Sequence, residues 1–318
     1  MFYRFLRYTI FGLLAFVGCT AEDRTVCPTS IKVVHSFTLN KEYADMFAQR
    51  VRRTSLYIFD DKGLFYDEKT ITDPSLMEGG NTVVLDLRPG TYTVVSWGGV
   101  PEWYKIGENI NGRFSEGLTR GVSSLASFRL LLPTDASGVD MPTASEPADL
   151  FHGMTENVMV ENGESAVIPI SVIKNTHTIH LTVNGLDNIA ASKAAAPIDV
   201  YVSAGNHNLY HNNTFDLSGG VVKYLPNSFL VDGTQLRTSI KVLRLVPSHP
   251  MMLVGRDAVS GTNYFNFDLL PYIMQSPTYN SQAELDRESD FDVVVTVGIN
   301  LDVVVYINGW KVVNIIPI

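Results

Sequence analysis

A cysteine at the end of an apolar segment has the clearest chemistry in this sequence. Residues 8–17 form an apolar run that follows Arg4 and Arg7, and the small residue Gly18 directly precedes Cys19. A basic start, a short apolar run and a small residue before the cut are typical of an export signal, and this run is too short to span a bilayer. Because a cysteine follows the cut, we predict a bacterial lipoprotein signal, in which the Cys19 thiol takes a diacylglycerol and becomes the acylated mature N-terminus.

One position departs from the lipoprotein pattern. Phe16 stands where such signals usually have leucine, and the alternative is ordinary secretion with an incidental cysteine. The second of the two cysteines is Cys27. If Cys19 is acylated, Cys27 has no partner within the chain, so we expect buried apolar area rather than a disulfide to stabilise the fold.

Histidines are the candidate metal ligands. His207 and His211 are four residues apart in an Asn-rich stretch. On a helix both imidazoles would share a face, as a zinc site needs, but the neighbouring Asn and Gly favour a loop, so we interpret them as surface histidines. His177 and His180 are three residues apart and cannot point the same way from a strand, which favours a structural role. The sequence predicts no metal site.

Motifs of catalysis are missing from the sequence. It has no Gly-x-Ser-x-Gly elbow, no His-Glu-x-x-His and no glycine-rich phosphate loop between a strand and a helix. The acidic pairs Asp60/Asp61 and Asp290/Asp292 lie at predicted turn or strand boundaries, where we interpret them as capping or solvated groups rather than the paired acids of a glycosidase. The sequence therefore predicts neither an enzyme nor a bound cofactor.

An aromatic pair in the loop at 101–104 is a candidate ligand site. Trp103 and Tyr104 are adjacent in a turn-rich segment. Such side chains can stack on a sugar ring, although they more often cover the end of a β-sandwich. Both interpretations stay open at the level of sequence.

The elements that must position these residues are predicted to be almost all β-strands. Short runs rich in branched and aromatic residues alternate with turn signals. The strand candidates are residues 31–39, 54–59, 64–66, 83–88, 91–97, 127–132, 157–161, 166–173, 177–183, 198–203, 239–246, 264–270, 291–297 and 301–307. Asn308 and Gly309 give a type I′ hairpin signal that would pair residues 303–307 with 310–313.

Two short helices are predicted within this β pattern. Asn40 is the predicted N-cap of the first, and its residues that share a face are Tyr43, Met46 and Phe47. Ser281, followed three residues later by Glu284, forms the capping box of the second. The scarcity of helical periods supports an all-β fold.

Length and pattern together predict two domains. Removal of residues 1–18 leaves 300 residues, enough for about two domains. Many short strands with frequent turns are typical of β-sandwiches. We therefore predict a polar tether at 19–30, an N-terminal β-sandwich at 31–174 and a C-terminal β-sandwich at 175–318.

The charge of the chain argues against a nucleic-acid partner. The sequence has 24 basic and 33 acidic residues, and the leader removes only Arg4 and Arg7, which leaves 22 against 33 and a formal charge of −11. No basic patch offsets that repulsion. No segment after the leader has eighteen uninterrupted apolar residues, so we expect the lipid to be the membrane attachment.

Several short motifs occur in an order that resembles a known family. They are Gly18-Cys19, Glu22-Asp23-Arg24, Cys27-Pro28, Leu56-Tyr57-Ile58-Phe59-Asp60 with Gly63, Pro89-Gly90-Thr91-Tyr92, Trp97-Gly98-Gly99, Phe151-His152-Gly153, Lys174-Asn175-Thr176, Leu285-Asp286-Arg287 and Ile307-Asn308-Gly309-Trp310. Together they resemble the FimB-type fimbrium anchoring subunits of Gram-negative gut and oral anaerobes. The order of the motifs, rather than any one of them, carries the resemblance, which spans nearly the whole mature chain.

The resemblance implies a structural role at the cell surface. It implies two transthyretin-like β-sandwich domains in tandem, a lipid on Cys19 that holds the chain in the outer membrane, and a place at the base of a fimbrium assembled by strand exchange with a fimbrial stalk subunit. The acidic pair Glu22 and Asp23 resembles the surface-export signal of such lipoproteins.

Two alternatives to the anchor stay open. Stalk subunits of similar fold lose an N-terminal strand by cleavage after an arginine, and Arg50, Arg52 and Arg53 could offer such a site in a stalk or tip subunit. Cleavage there would discard the lipid and the tether. The other alternative is a surface glycan-binding lipoprotein that uses Trp103 and Tyr104.

The C-terminal segment is unusually apolar for a chain end. Its candidate donor-strand residues are Trp310, Val312, Val313, Ile315, Ile316 and Ile318. Burial of these side chains in a neighbour's sheet would be favourable. The alternative, which we favour because hairpin pairing is local, is that this segment is the last strand of its own domain.

Overall fold

The computed structural model describes residues 28–99, 103–134, 148–189 and 198–315, with the side chains of 312–315 excepted. We call residues 28–174 the first half and residues 175–315 the second half. Cys19, Glu22, Asp23, Ile316 and Ile318 lie outside the described residues. Within the described part of the chain, no helix is both long and apolar enough to cross a membrane.

Strands dominate the first half. They are β1 (Thr29–Ser36), β2 (Thr54–Phe59), β3 (Phe65–Ile71), β4 (Thr82–Leu87), β5 (Gly90–Gly98), β6 (Lys105–Ile110), β7 (Arg113–Glu116), β8 (Phe128–Leu131), β9 (Phe151–Val160), β10 (Val167–Ser171) and β11 (Ile173–Lys174). The helical segments are α1 (Phe47–Arg50) and a 3₁₀ turn at Pro74–Leu76.

The second half is also built of strands. They are β12 (Thr176–Asn184), β13 (Ile198–Ala204), β14 (Asn208–Tyr210), β15 (Val222–Tyr224), β16 (Phe229–Asp232), β17 (Gln235–Leu243), β18 (Met251–Asp257), β19 (Asn263–Asp268), β20 (Asp290–Val297), β21 (Val303–Ile307) and β22 (Trp310–Ile315). The helical segments are α2 (Leu186–Ile189), a 3₁₀ turn at Leu217–Gly219, α3 (Leu269–Ile273) and α4 (Gln282–Arg287). The prediction of an all-β fold is confirmed.

The strands of the described residues form five sheets. Sheet 1 has the order β10-β1-β4 and sheet 2 the order β11-β9-β5-β2-β3. Sheet 3 has the order β16-β17-β12-β20-β21-β22 and sheet 4 the order β15-β13-β18-β19. The fifth, which we call the bridging sheet, has the order β14-β8-β6-β7. It joins the halves, because β14 comes from the second half and pairs with β8 from the first.

Strand β2 of sheet 2 is buried on both of its faces. All six residues of β2 are buried, and because successive side chains of a strand point to opposite faces, they contribute to two cores. Leu56 and Ile58 pack with sheet 1, whereas Tyr57 and Phe59 join a core that includes Phe128 of the bridging sheet. The Phe59 and Phe128 ring centroids are 5.4 Å apart. Burial on both faces explains why polar and apolar residues do not alternate along β2.

One hydrophobic core continues from the first half into the second. The cluster that holds Tyr57 and Trp97 also holds Ile179, Leu181 and Val200, all at most 4% exposed. In sheet 3, β12 pairs antiparallel with β17 and parallel with β20. The predicted division at 174–176 falls between β11, which belongs to sheet 2, and β12, which belongs to sheet 3.

Of the two predicted helix starts, one is wrong and one is confirmed. The predicted helix after Asn40 is wrong, since α1 begins only at Phe47, after the N-cap Met46. The Asn40 side chain instead donates to the carbonyl oxygens of Phe37 and Ala44, which folds this stretch into a loop. The cap of α4 is confirmed, because the Ser281 hydroxyl accepts from the Glu284 N–H at 3.3 Å.

The predicted hairpin near the C-terminus is confirmed. Asn308 and Gly309 have φ angles of 46° and 79°, as a type I′ turn requires, and they join β21 to β22.

Candidate attachment surfaces and the junction of the halves

Strand β1 begins at the end of the first half that lies away from the second half. At its C-terminal end, the Ser36 carbonyl accepts from Val172 N–H at 2.8 Å, next to the start of the second half. At its other end, the Thr29 hydroxyl donates to the Glu161 carbonyl at 3.1 Å. Strand β9 separates the two ends, because Phe151 pairs with Lys174 at the junction and Val160 lies nine residues further on. The start of β1 therefore lies at the end of the first half away from the junction.

Strand β22 ends at the side of the second half that lies away from the junction. β12 leaves the junction at Thr176 and runs parallel to β20, whose last residue is Val297. Val297 pairs with Val303, and Val303 pairs with Ile315. Ile315 thus lies at the end of sheet 3 that is farthest from the junction. Thr29 and Ile315 therefore both lie away from the junction, one in each half.

Strand β22 also forms one edge of sheet 3. It pairs with β21 on one side, and the order of the sheet among the described residues ends with it. Of the candidate donor residues, Trp310, Val312, Val313 and Ile315 lie in this strand, and the Trp310 side chain is exposed. The described structure places them in the fold of their own chain.

A short helix of the second half holds the first half. The Leu285 carbonyl accepts from His177 Nε2 at 3.1 Å, and Asp286 accepts two hydrogen bonds from Arg244 at 2.7 and 2.6 Å. Arg287 donates to the Asn40 carbonyl, across 247 residues of sequence, at 3.1 Å. Leu285 and Asp286 therefore fix α4 within the second half, and Arg287 makes the contact between the halves.

The bridging sheet adds a buried ion pair to this junction. Arg129 Nε of β8 donates to Asp216 Oδ2 at 3.0 Å, and both side chains are less than a tenth exposed. The Arg129 guanidinium also lies over the Tyr210 ring at 3.5 Å. Burial alone would raise the pKa of Asp216, but hydrogen bonds from Ser218 and Arg129 outweigh it, so the pKa lies below its usual value. Asp216 is therefore charged at neutral pH.

Gly99 explains part of another motif. It has a φ of 96°, and a Cβ atom there would lie 2.1 Å from the Asp149 carbonyl oxygen. Only glycine lets the chain at the end of β5 approach the Asp149 backbone so closely. Beside it, the Trp97 ring packs on the His152 ring with centroids 4.4 Å apart.

Three histidines are buried in the neutral form. Burial lowers the pKa of His35, His152 and His177 to about 4 in each case, although each ring bonds to a backbone carbonyl, which opposes the shift. The carbonyl oxygens accept, so each ring nitrogen that contacts one carries its proton. In His35 this is Nδ1, which leaves Nε2 to accept from the Ser96 hydroxyl at 3.0 Å.

The aromatic residues of the predicted ligand loop do not form an open surface on which a sugar ring could stack. Tyr104 is buried, and its hydroxyl donates to the Ala148 carbonyl at 2.8 Å. Trp103 is half-buried and packs against the shared core. In this arrangement Tyr104 presents no face to a ligand.

The histidine pair is also not assembled into a metal site. His207 is buried, with its ring against Gly219, while the His211 carbonyl accepts from His152 Nε2 at 2.7 Å. Among the described residues, no three His, Cys, Asp or Glu side chains are grouped closely enough to hold a metal ion. The prediction that His207 lies on the surface is wrong, because β14 and the turn at Leu217–Gly219 enclose it.

The three arginines of the alternative cleavage site lie between β1 and β2. Arg50 is the last residue of α1, and Arg52 is exposed. A cut after any of them would separate β1, whose Ile31 and Val33 are fully buried, from the remaining strands. β1 is the central strand of sheet 1, so its loss would open that sheet.

Sequence reasoning missed most of the contacts at the junction. The motifs at 97–99, 151–153 and 285–287 carry no sequence signal of the contacts that they make at the junction. Arg129 and Asp216 are 87 residues apart and carried no local signal.

The comparisons with known proteins define a class of cell-surface protein. A family described as fimbrillin-A associated anchor proteins Mfa1 and Mfa2 matches residues 24–316. The chain belongs to this family of fimbrial anchor proteins. Its similarity to the minor fimbrium anchoring subunit Mfa2 of Porphyromonas gingivalis is 23% identity over 300 residues, which covers 90% of this chain and 86% of the relative.

Solved structures share the fold over most of the chain. The fimbrial anchor protein Mfa2 from Porphyromonas gingivalis superposes with a TM-score of 0.72 at 17% identity and covers 91% of this chain and 100% of that one. A Bacteroides thetaiotaomicron structure, described as a putative polysaccharide binding protein, superposes with a TM-score of 0.75 at 23% identity and covers 90% and 97%. The multi-sheet β architecture is thus common to these proteins.

Proposed function

We propose that this chain is the lipid-anchored subunit at the base of a fimbrium, which attaches the fimbrial polymer to the outer membrane. A lipid on Cys19 holds the chain in the membrane, and Glu22 and Asp23 direct it to the cell surface. Residues 31–174 and 175–318 are two transthyretin-like β-sandwich domains in tandem. The role is structural and needs neither catalysis nor a cofactor.

The position of the chain ends carries this proposal. The tether enters β1 at the end of the first half, and β22 ends at the far end of the second half. A lipid on the tether therefore leaves the end of β22 facing away from the membrane, where the next fimbrial subunit must bind. Acyl chains contribute about 0.8 kcal/mol per buried methylene, so a multiply acylated N-terminus is held permanently.

The buried position of β1 favours the anchor over a stalk or tip subunit. β1 links the tether to the fold, and it is paired on both sides, with β10 and β4. Cleavage after Arg50, Arg52 or Arg53 would remove both the strand and the lipid. The mass of the protein recovered from fimbriae distinguishes the two roles, because the anchor retains residues 19–53.

Strand exchange would take place through the C-terminal strand. β22 is an edge strand that leads into the apolar residues Ile316 and Ile318. An edge strand offers unpaired backbone groups to a partner strand, so a fimbrial stalk subunit can pair with it.

Replacement of the lipidated cysteine tests the anchoring role. Cys19→Ser should release the protein from the membrane fraction, abolish labelling with a palmitate analogue and shed fimbriae into the medium. Cys27→Ser is the matched control, and it should leave all three unchanged because Cys27 is not lipidated. Membrane partition of Cys19→Ser equal to that of the natural chain would refute the proposal.

A further inference from the structure

A polar cavity lies at the junction of the two halves. Its volume is about 300 Å³, which is within the range of sites for small ligands, and such sites are common between domains. The first half contributes Asn40, Asp149 and Lys174. The second half contributes Thr178, Lys241 and Ser289.

The charges most shielded from water in this cavity do not balance. Lys174 Nζ and Lys241 Nζ lie 3.3 and 2.8 Å from the oxygens of the same carboxylate, that of Asp149. The two lysine side chains are only 13% and 14% exposed. Burial would raise the pKa of Asp149, but the two ammonium groups outweigh it and hold that pKa below its usual value. One carboxylate therefore neutralises two ammonium groups.

The other charged groups that line the cavity form pairs of their own, and Asp290, which is about half exposed, lies 3.4 Å from His180 Nε2. Lys41 forms an ion pair with Glu288, and Arg50 forms one with Glu42 at 2.7 Å. Lys41 and Arg50 are more than half exposed, unlike Lys174 and Lys241. Since a shielded charge without a counter-charge is unfavourable, the pair Lys174 and Lys241 favours a second anion.

Neutral polar groups line the same cavity. Thr178 and Ser289 bring hydroxyl groups. Asn40 is 3% exposed, and its side-chain oxygen Oδ1 has no hydrogen-bond partner within the described residues. A buried acceptor of this kind favours a ligand that donates a hydrogen bond.

We propose that this cavity binds a small organic carboxylate that carries hydroxyl groups, such as a hexuronic acid. Its carboxylate pairs with Lys174 and Lys241 and neutralises the positive charge that Asp149 leaves unbalanced. One of its hydroxyl groups donates to Asn40 Oδ1. This site is separate from both attached ends of the chain, so it does not depend on the anchoring role.

Calorimetric titration of the full secreted chain with sodium glucuronate tests the site. We expect saturable binding of one glucuronate, and no saturable binding of glucose or inorganic sulfate over the same concentrations. Lys241→Gln should weaken the binding by roughly ten- to a hundredfold, because one charge-assisted hydrogen bond is lost. Lys105→Gln removes a surface lysine paired with Glu116 and should leave the affinity unchanged.

Two further variants make the test decisive. Lys174→Gln should weaken the binding as Lys241→Gln does, and each variant leaves Asp149 with one ammonium partner, so the fold is retained. Asp149→Asn should strengthen glucuronate binding, because both lysines then lack a carboxylate. The proposal is overturned if glucuronate does not bind, if glucose or sulfate binds equally well, or if Asp149→Asn weakens the binding.

Discussion

The side-chain amides of Asn175 and Asn213 hydrogen-bond to each other in both directions. Each amide nitrogen donates to the other's oxygen, and the bond from Asn213 Nδ2 is 3.0 Å long. Both residues are buried, and they join the link between β11 and β12 to the loop that follows β14. This pair therefore fixes the bridging sheet on the connection between the halves.

Replacement of Asn213 should weaken the fold. Asn213→Gly removes the amide and leaves the Asn175 amide buried without its partner, which should lower the free energy of unfolding by about 1–3 kcal/mol. Asn213→Ala should cost about 1–2 kcal/mol more, because the φ of residue 213 is 68°. Urea unfolding measures both. Equal free energies of unfolding for the Gly and Ala variants would show that the positive φ of residue 213 does not disfavour alanine there.

The buried ion pair should contribute more than a surface pair. Asp216→Ala leaves Arg129 charged and 7% exposed, so we expect a loss of about 3–5 kcal/mol. Asp199→Ala, which breaks the exposed pair with Arg256, is the control, and it should change stability by less than about 1 kcal/mol. Chemical denaturation compares the two. Similar losses in both variants would show that burial of the pair is unimportant.

The sequence was sufficient to predict the all-β fold class because the strand pattern is local. Alternating residues such as Val83 and Leu85 predict one buried face, and Asn308-Gly309 predicts its hairpin. The ion-pair partners of Arg129 and Asp149 could not be predicted, because a long-range ion pair produces no periodic pattern in the sequence. The helix cap predicted at Asn40 is wrong for a related reason. Asparagine favours helix caps, but the Asn40 side chain hydrogen-bonds to the carbonyl oxygens of Phe37 and Ala44 and this stretch forms a loop.

Stability should fall as the pH falls from about 6.5 to 4. His35, His152 and His177 have folded-state pKa values of about 4, below the 6.5 of the unfolded chain. In this window the unfolded chain binds more protons, so the stability that is present above pH 6.5 is lost progressively. Thermal unfolding between pH 7 and pH 4 measures the effect. His177→Gln should reduce the slope, whereas His249→Gln, outside the buried group, should not.

Removal of the end of β22 should separate folding from attachment. Deletion of residues 314–318 takes away one end pair of β22, Ile315 with Val303, and the apolar residues that follow. The truncated chain should stay folded and lipidated but should not hold fimbriae on the cell. Leu230→Thr changes β16, the opposite edge strand of sheet 3, and is the matched control. The strand-donation hypothesis fails if the truncated chain unfolds or if it retains fimbriae.

The positions of β1 and β22, each at the side of its half away from the junction, also bear on how the proposed anchor would resist a mechanical load. If the chain has the proposed anchoring role, a membrane that held β1 and a fimbrium that pulled on β22 would apply tension along the strands. β1 is paired with β10 over five residue pairs and with β4 over six. Tension in this direction shears both ladders at once instead of unzipping them one bond at a time, so many hydrogen bonds must break together before the anchor yields.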